Sequence, residues 1–156
     1  MSFNLLADFF GMSKYFKIPR EIEARFPDES LCQKCGRCCY GSIPRGGSLI
    51  IISELPCRYL VRSDDHTATC SIYGNRHAVA KWCQTVNRKS VNNGLFPADC
   101  PYVRGIPNYR GKTALAENDR EEFYRWVKDI FDGQPRPDYL AEKDWKVFFD
   151  KLGLKP

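Results

Sequence analysis

The sequence predicts a small, mostly helical α+β single domain with short strands and a cysteine-rich metal-binding loop region. Three observations predict it. All eight cysteines of the 156-residue chain fall between residues 32 and 100. The stretch that holds them is punctuated by Gly and Pro and carries only short β-branched runs. Beyond it, apolar residues return at helical spacing. A chain of this length typically buries ~70% of its unfolded surface, so a core forms without covalent staples. The expected division is an N-terminal helical segment over 1–29, a cysteine-cluster metal-binding domain over 30–112 and a C-terminal helical hairpin over 113–156, packed on it.

Taken in order, Phe3, Leu6, Phe9, Phe10 and Phe16 give a short amphipathic helix that Pro19 ends, and Arg20 to Phe26 adds another helical turn or two. Cys32 to Gly47 reads as loop. Ser48 to Ser53 is a β-branched run bounded by Gly and Pro, hence a strand, and Ala68 to Tyr73 is a second. Asn75 is placed to cap a helix from Arg76 to Arg88 that carries Val79, Trp82, Cys83 and Val86, with Asn92-Asn93-Gly94 as the stop. Three prolines make Phe96 to Lys112 irregular. Asn118 and Glu121 resemble a capping box for a helix with Phe123, Trp126, Val127 and Ile130 on one face, ended by Gly133. Asp138 is expected to cap a last helix with Leu140, Val147, Phe148 and Leu152 inward.

The cysteines carry the chemistry. Cys32, Cys35 and Cys38 stand two residues apart, a spacing that lets successive thiolates fold back around one centre. Bacterial ferredoxin clusters use that run plus a remote cysteine followed by proline, and Cys100-Pro101 has that form. Zinc competes: Cys39, Cys57, Cys70 and Cys83 complete eight thiolates, enough for two tetrahedral ions, although no second short-spaced pair exists. Adjacent Cys38 and Cys39 suit two nearby metals or one polynuclear cluster, since neighbouring side chains tend to point apart. Thiol redox chemistry at that pair, with Arg37 lowering a thiol pKa, would leave six cysteines unexplained. His66 and His77 are weak additional ligand candidates.

Met1 to Gly11 has no basic leader, and no stretch approaches the ~20 apolar residues of a membrane helix. The expected compartment is a reducing cytoplasm, where thiols outlast disulfides. The overall charge of +5 is uneven. Residues 70–116 hold seven bases and one acid, a net of +6, and residues 117–144 hold nine acids and five bases, a net of −4. Trp82, Tyr102 and Tyr109 interleave the basic residues of 76–112, as stacking residues do in nucleic-acid binders. A solvated basic face offsetting thiolate charge explains the same pattern.

Cys32-x2-Cys35-Gly36-x-Cys38-Cys39, then Cys57-x-x-Leu60, Cys70-Ser71-Ile72-Tyr73 with Arg76, and Cys83 resemble the bacterial cysteine-cluster family of zinc- or iron-chelating proteins (CxxCxxCC, YkgJ-type). Phe96-Pro97-Ala98-Asp99-Cys100-Pro101-Tyr102 is similar to the late Leu-Pro-x-Thr-Cys-Ala-Tyr-Arg segment of one branch. The resemblance spans roughly residues 30 to 104 and departs where the family often has Arg-Pro and this chain has Arg76-His77. It implies metal binding by the cysteines. Related domains in a flagellin lysine methylase imply a link to protein modification.

Three functions follow as expectations. The first is a protein whose cysteines hold an iron–sulfur cluster, or one or two zinc ions, serving redox chemistry or protein modification with a protein partner or substrate. The second is a zinc-stabilised interaction module whose basic 76–112 stretch meets an anionic partner such as nucleic acid. The third is an enzyme using the cluster itself. No Walker loop, dinucleotide fingerprint, HExxH or nucleophile elbow places the chain in a standard enzyme class.

Overall fold

The computed structural model describes residues 16–65 and 67–156. The expected helix over 3–16 lies, but for Phe16, outside the described residues, as does His66. The described chain is a small α+β arrangement of five helices and two antiparallel strand pairs. The helices are α1 (Arg20–Glu23), α2 (Arg76–Val79), α3 (Arg88–Asn92), α4 (Arg120–Phe131) and α5 (Glu142–Leu152). The strands are β1 (Tyr40–Arg45), β2 (Ser48–Pro56), β3 (Leu60–Arg62) and β4 (Ala68–Cys70).

The main hairpin is longer than the single Ser48–Ser53 strand expected. Part of the segment read as loop is β1, whose Gly41 and Pro44 hide it from propensity. Its turn explains it: Gly46 and Gly47 lie at φ +60° and +81°, as a type I′ turn requires at both central positions, and Arg45 pairs with Ser48 across it. The register slips between Tyr40 and Ser42, so that Tyr40 pairs with Pro56 while Ser42 pairs with Ile51. That irregularity brings the residues just outside the hairpin together: Cys57 N–H donates to Cys39 O at 2.8 Å. Residues 112–114 run along the other edge of β2, with Ile51 N–H donating to Thr113 O and Thr113 N–H to Leu49 O.

The described residues form two apolar cores. In one, α4 and α5 pack on the hairpin, burying Ile52, Leu55, Phe123, Val127 and Phe148 completely. Phe131 meets Trp145 and Phe148 edge-on at 5.8 and 5.2 Å, joining the two helices. In the other, Ile22 of α1 packs with Val91, Phe96, Val103 and Ile106. The 16–31 segment is thereby tied to the stretch just past the cysteines.

Three local expectations are corrected. The 76–88 helix is two: α2 stops where Ala80 turns extended (φ −106°, ψ 92°), and α3 starts at Arg88. Burial of Ala80 and the stacking of Trp82 on Tyr59 (6.1 Å, 5°) hold the chain off the helical path. Asn87 then forms a capping box with Ser90, each side chain accepting the other's backbone N–H. Asn118 caps nothing; a 3-10 turn over Glu117–Asp119 leads into α4, and Asp119 sits in helical geometry (φ −93°, ψ −4°), so its side chain makes no cap bond. Asp138 likewise falls in a turn closed by Leu140 N–H to Pro137 O, and α5 starts later, at Glu142. Val147 is then 56% exposed and Trp145 and Phe149 take the inward face.

Candidate metal centre

The run Cys32 to Cys39 is shaped by two left-handed residues. Lys34 (φ 54°) and Gly36 (φ 73°) each reverse the backbone inside a two-residue spacer, so the run folds back on itself. At Gly36 the requirement is doubled, because an added Cβ would stand 2.6 Å from Ala68 Cβ. This close approach seats the run on β4, where Ala68 N–H donates to Lys34 O at 2.7 Å. The next segment arrives through Cys57, bonded to Cys39, and Leu60 N–H donates to Cys57 O at 2.9 Å. Leu60 pairs with Cys70 in the β3–β4 ladder. Cys83 lies in a turn closed by its own N–H to Ala80 O, rather than on the helix expected. Cys100 is brought in by its neighbours: Arg37 Nη2 donates to both carboxylate oxygens of Asp99 at 2.8 and 3.0 Å.

Beside these segments lies a cavity of about 270 Å³. Five of the eight cysteines, Cys38, Cys39, Cys57, Cys70 and Cys83, stand on its wall with Tyr40, Tyr59, Ile72, Trp82 and Phe96. All eight are free thiols; Cys32 and Cys38 are exposed and the other six half-buried. Cys38 and Cys39 point together, with Sγ atoms 3.9 Å apart. The expectation that adjacent side chains diverge is corrected here: the sulfurs of Cys38 and Cys39, at the end of the 3-10 turn over Arg37–Cys39, meet. A tetrahedral thiolate site with ~2.3 Å bonds has sulfurs roughly 3.8 Å apart, so this pair already spans one edge of such a site. Among the described residues, no three His, Cys, Asp or Glu side chains stand together as a finished metal site.

The electrostatics follow that neighbourhood. The hydrogen bond from Cys39 holds Cys38 below the ordinary thiol value, and the same bond pushes Cys39 up. Burial pushes Cys100 up to about 11, with the charges of Cys38, Cys35 and Cys32 adding to it. Burial also raises Cys83, and there the added charges are Cys70, Cys57 and Cys38. Thiols so placed repel one another as thiolates, which is the state a bound cation relieves.

Lys112 was not legible as part of this site. Sequence reading puts it on a basic face, but it is 5% exposed and its Nζ donates to Cys38 O at 3.0 Å and Tyr40 O at 2.7 Å. Gly111 makes this possible, since a Cβ there would collide with Phe96 O at 1.8 Å. Burial pulls this lysine down to about 8, opposed by the charges of Cys38 and Cys39, so at neutral pH it is mainly a cation held on two backbone carbonyls of the cysteine run. Arg76 is the second anchor missed by function: its guanidinium lies over the Tyr73 ring at 3.9 Å and bonds Tyr73 O and Glu29. His77 is exposed and off the cavity wall.

Over 122 residues the chain is 34% identical to an uncharacterized protein of Methanocaldococcus jannaschii, an alignment covering 77% of each. The chain belongs to the same family as that archaeal protein. A shorter match, 33% identical over 76 residues, links it to a UPF0260 protein of Gluconobacter oxydans and covers 47% of this chain and 45% of the relative. No family model matches. No solved structure matches.

Proposed function

We propose that this protein binds metal through its eight cysteines, as an iron–sulfur protein of the cysteine-cluster type, serving redox chemistry or protein modification. The observation that carries the reading is the convergence of Cys38, Cys39, Cys57, Cys70 and Cys83, from four separate stretches of chain, on one cavity wall. Packing alone does not call for this: Cys100 packs against the second apolar core, but these five thiols belong to neither, and none of the eight is fully buried. The donor set is all sulfur, which suits iron–sulfur clusters and zinc. Cys32, Cys35, Cys38 and Cys100 reproduce the three-plus-one ligand pattern of iron–sulfur proteins, which favours iron. An iron–sulfur cluster supplies one-electron transfer when bound. The chain's own contribution is to bring five thiols to one wall beside Tyr59, Trp82 and Phe96, and to place the Lys112 ammonium against the Cys38 carbonyl.

Zinc is the second reading, favoured by the spare thiols that one four-ligand cluster leaves over. The nucleic-acid version of that reading loses support in the fold. Tyr102 is 6% exposed with its hydroxyl on Asp28 O, Trp82 stacks on Tyr59, and Tyr109 bonds Phe96 O. Tyr102 is thereby buried, and Trp82 and Tyr109 are half-buried on partners within the protein. Among the described residues no helix is long and apolar enough to cross a membrane. Anaerobic purification with metal and sulfide analysis tests the proposal: iron with sulfide supports it, zinc alone moves the reading to the second, and protein with neither overturns both.

A further inference from the structure

We propose that the cavity beside the cysteines is a binding site for a small aromatic carboxylate, with the carboxylate paired to Lys112 and the ring laid among Tyr59, Trp82 and Phe96. The proposal goes beyond the metal-binding reading and does not rest on it. It uses a cation and the rings of the wall, and none of the thiols.

Lys112 carries the argument. It lies on the cavity wall, is 5% exposed, and its Nζ donates to Cys38 O at 3.0 Å and Tyr40 O at 2.7 Å. Both partners are neutral carbonyls. An ammonium brings three N–H donors and one positive charge, so these two bonds leave a donor over and the charge unanswered. Among the described residues no carboxylate lies within ion-pair distance of it. Buried charges are paired as a rule, because an unpaired one gives up its hydration without return. The other bases of the wall differ: Arg76 is answered by Glu29 at 2.9 Å, and Lys81 is exposed to water. Among the described residues no Asp or Glu lines the cavity, so an anion entering it meets no carboxylate. The rival source of negative charge there is a cysteine thiolate, which would answer Lys112 without any ligand.

The rest of the wall sets the body of the ligand. Tyr59 and Trp82 stack at 6.1 Å and 5°, and with Phe96, Tyr40 and Ile72 they give the cavity an aromatic and apolar lining. Such a lining packs best against another flat ring. The volume of about 270 Å³ is just under the ~300–1,000 Å³ of sites for drug-sized ligands, which fits a molecule of one or two rings. One buried ammonium matches one carboxylate. A phosphate monoester, at about −1.5 to −2, would bring more charge than one lysine answers.

The test titrates benzoate, and benzamide as its neutral counterpart of similar shape, into the full chain purified anaerobically. Binding is followed by calorimetry, and metal content is measured on the same sample. Benzoate should bind saturably and at least about tenfold tighter than benzamide, the difference that one charge-assisted contact makes. Lys112→Gln keeps an amide donor for the carbonyls and removes the charge. In that variant, with native circular dichroism, benzoate should fall to the level of benzamide. Absence of saturable benzoate binding overturns the proposal, as do equal binding of the two probes and full benzoate affinity in Lys112→Gln. Should the variant fail to fold, the two probes on the wild-type chain decide alone. The result is separable from the metal reading. Benzoate bound by metal-free protein upholds this site and overturns that reading, whereas metal-loaded protein that ignores benzoate does the reverse.

Discussion

Arg37 holds both carboxylate oxygens of Asp99, at 2.8 and 3.0 Å, across 62 residues of chain. Each partner sits next to a cysteine, so one surface ion pair links the Cys32–Cys39 run to Cys100. The pair is 39% and 68% exposed, and such pairs contribute only ~0–1 kcal/mol to stability. Asp99→Asn should therefore leave the denaturation midpoint nearly unchanged while metal is lost faster to a chelator. Unchanged release kinetics would detach the ion pair from the site.

Gly36→Ala should cost about 1–3 kcal/mol, because the residue combines φ +73° with an approach of 2.6 Å to Ala68 Cβ. Gly46→Ala is the control: its φ is +60° but nothing lies within 4 Å, so strain alone, about 1 kcal/mol, is expected. Urea denaturation compares the two. Equal losses would mean that the packing of the cysteine run on β4 does not constrain it.

Lys112→Met should destabilise the protein by about 2–4 kcal/mol, since it strips a charged donor from two carbonyls in a buried place. A loss below about 0.5 kcal/mol in urea denaturation would show the lysine to be a replaceable surface cation, as its sequence context suggests.

That lysine marks where sequence reading stopped. The thiol positions were legible because spacing and chemistry are local properties of the chain. Lys112 was not, because its burial depends on residues 112–114 joining β2, a pairing that no local pattern announces. Cys83 was assigned to a helix for a similar reason: residues 76–88 have helical spacing, but the Trp82–Tyr59 stack pulls them off it. β1 did carry a signal in Gly46-Gly47, outweighed by the Gly and Pro around it. The α4 face is legible because apolar period dominates there, whereas on α5 the later start turns Val147 outward and Trp145 and Phe149 inward, and the caps of both helices are displaced by the turns ahead of them.

Glu54 gives the acid side of the stability curve. Burial pushes its carboxyl up, but hydrogen bonds from Lys151 and Tyr124 outweigh this and hold it below the ordinary 4.5. A depressed carboxyl stabilises the fold above its unfolded value, and that contribution is lost as pH falls through the folded value. Stability should hold from pH 7 to about pH 5 and drop below 4.5. In Glu54→Gln, part of that acid-side slope should vanish; an identical slope in the variant would place the titration elsewhere.

The most direct measurement is the visible spectrum, with iron, sulfide and zinc analysis, of anaerobically purified wild-type protein beside Cys35→Ser and Cys38→Ser. Because a site absent from the unfolded chain returns its binding energy as folding energy, metal content and melting temperature should fall together in both variants. The account predicts brown wild-type protein with about four irons and four sulfides per cluster. Colourless protein with stoichiometric zinc and no iron gained on reconstitution would contradict the iron assignment. Wild-type protein free of metal, melting at the same temperature as both variants, would contradict the account at its centre.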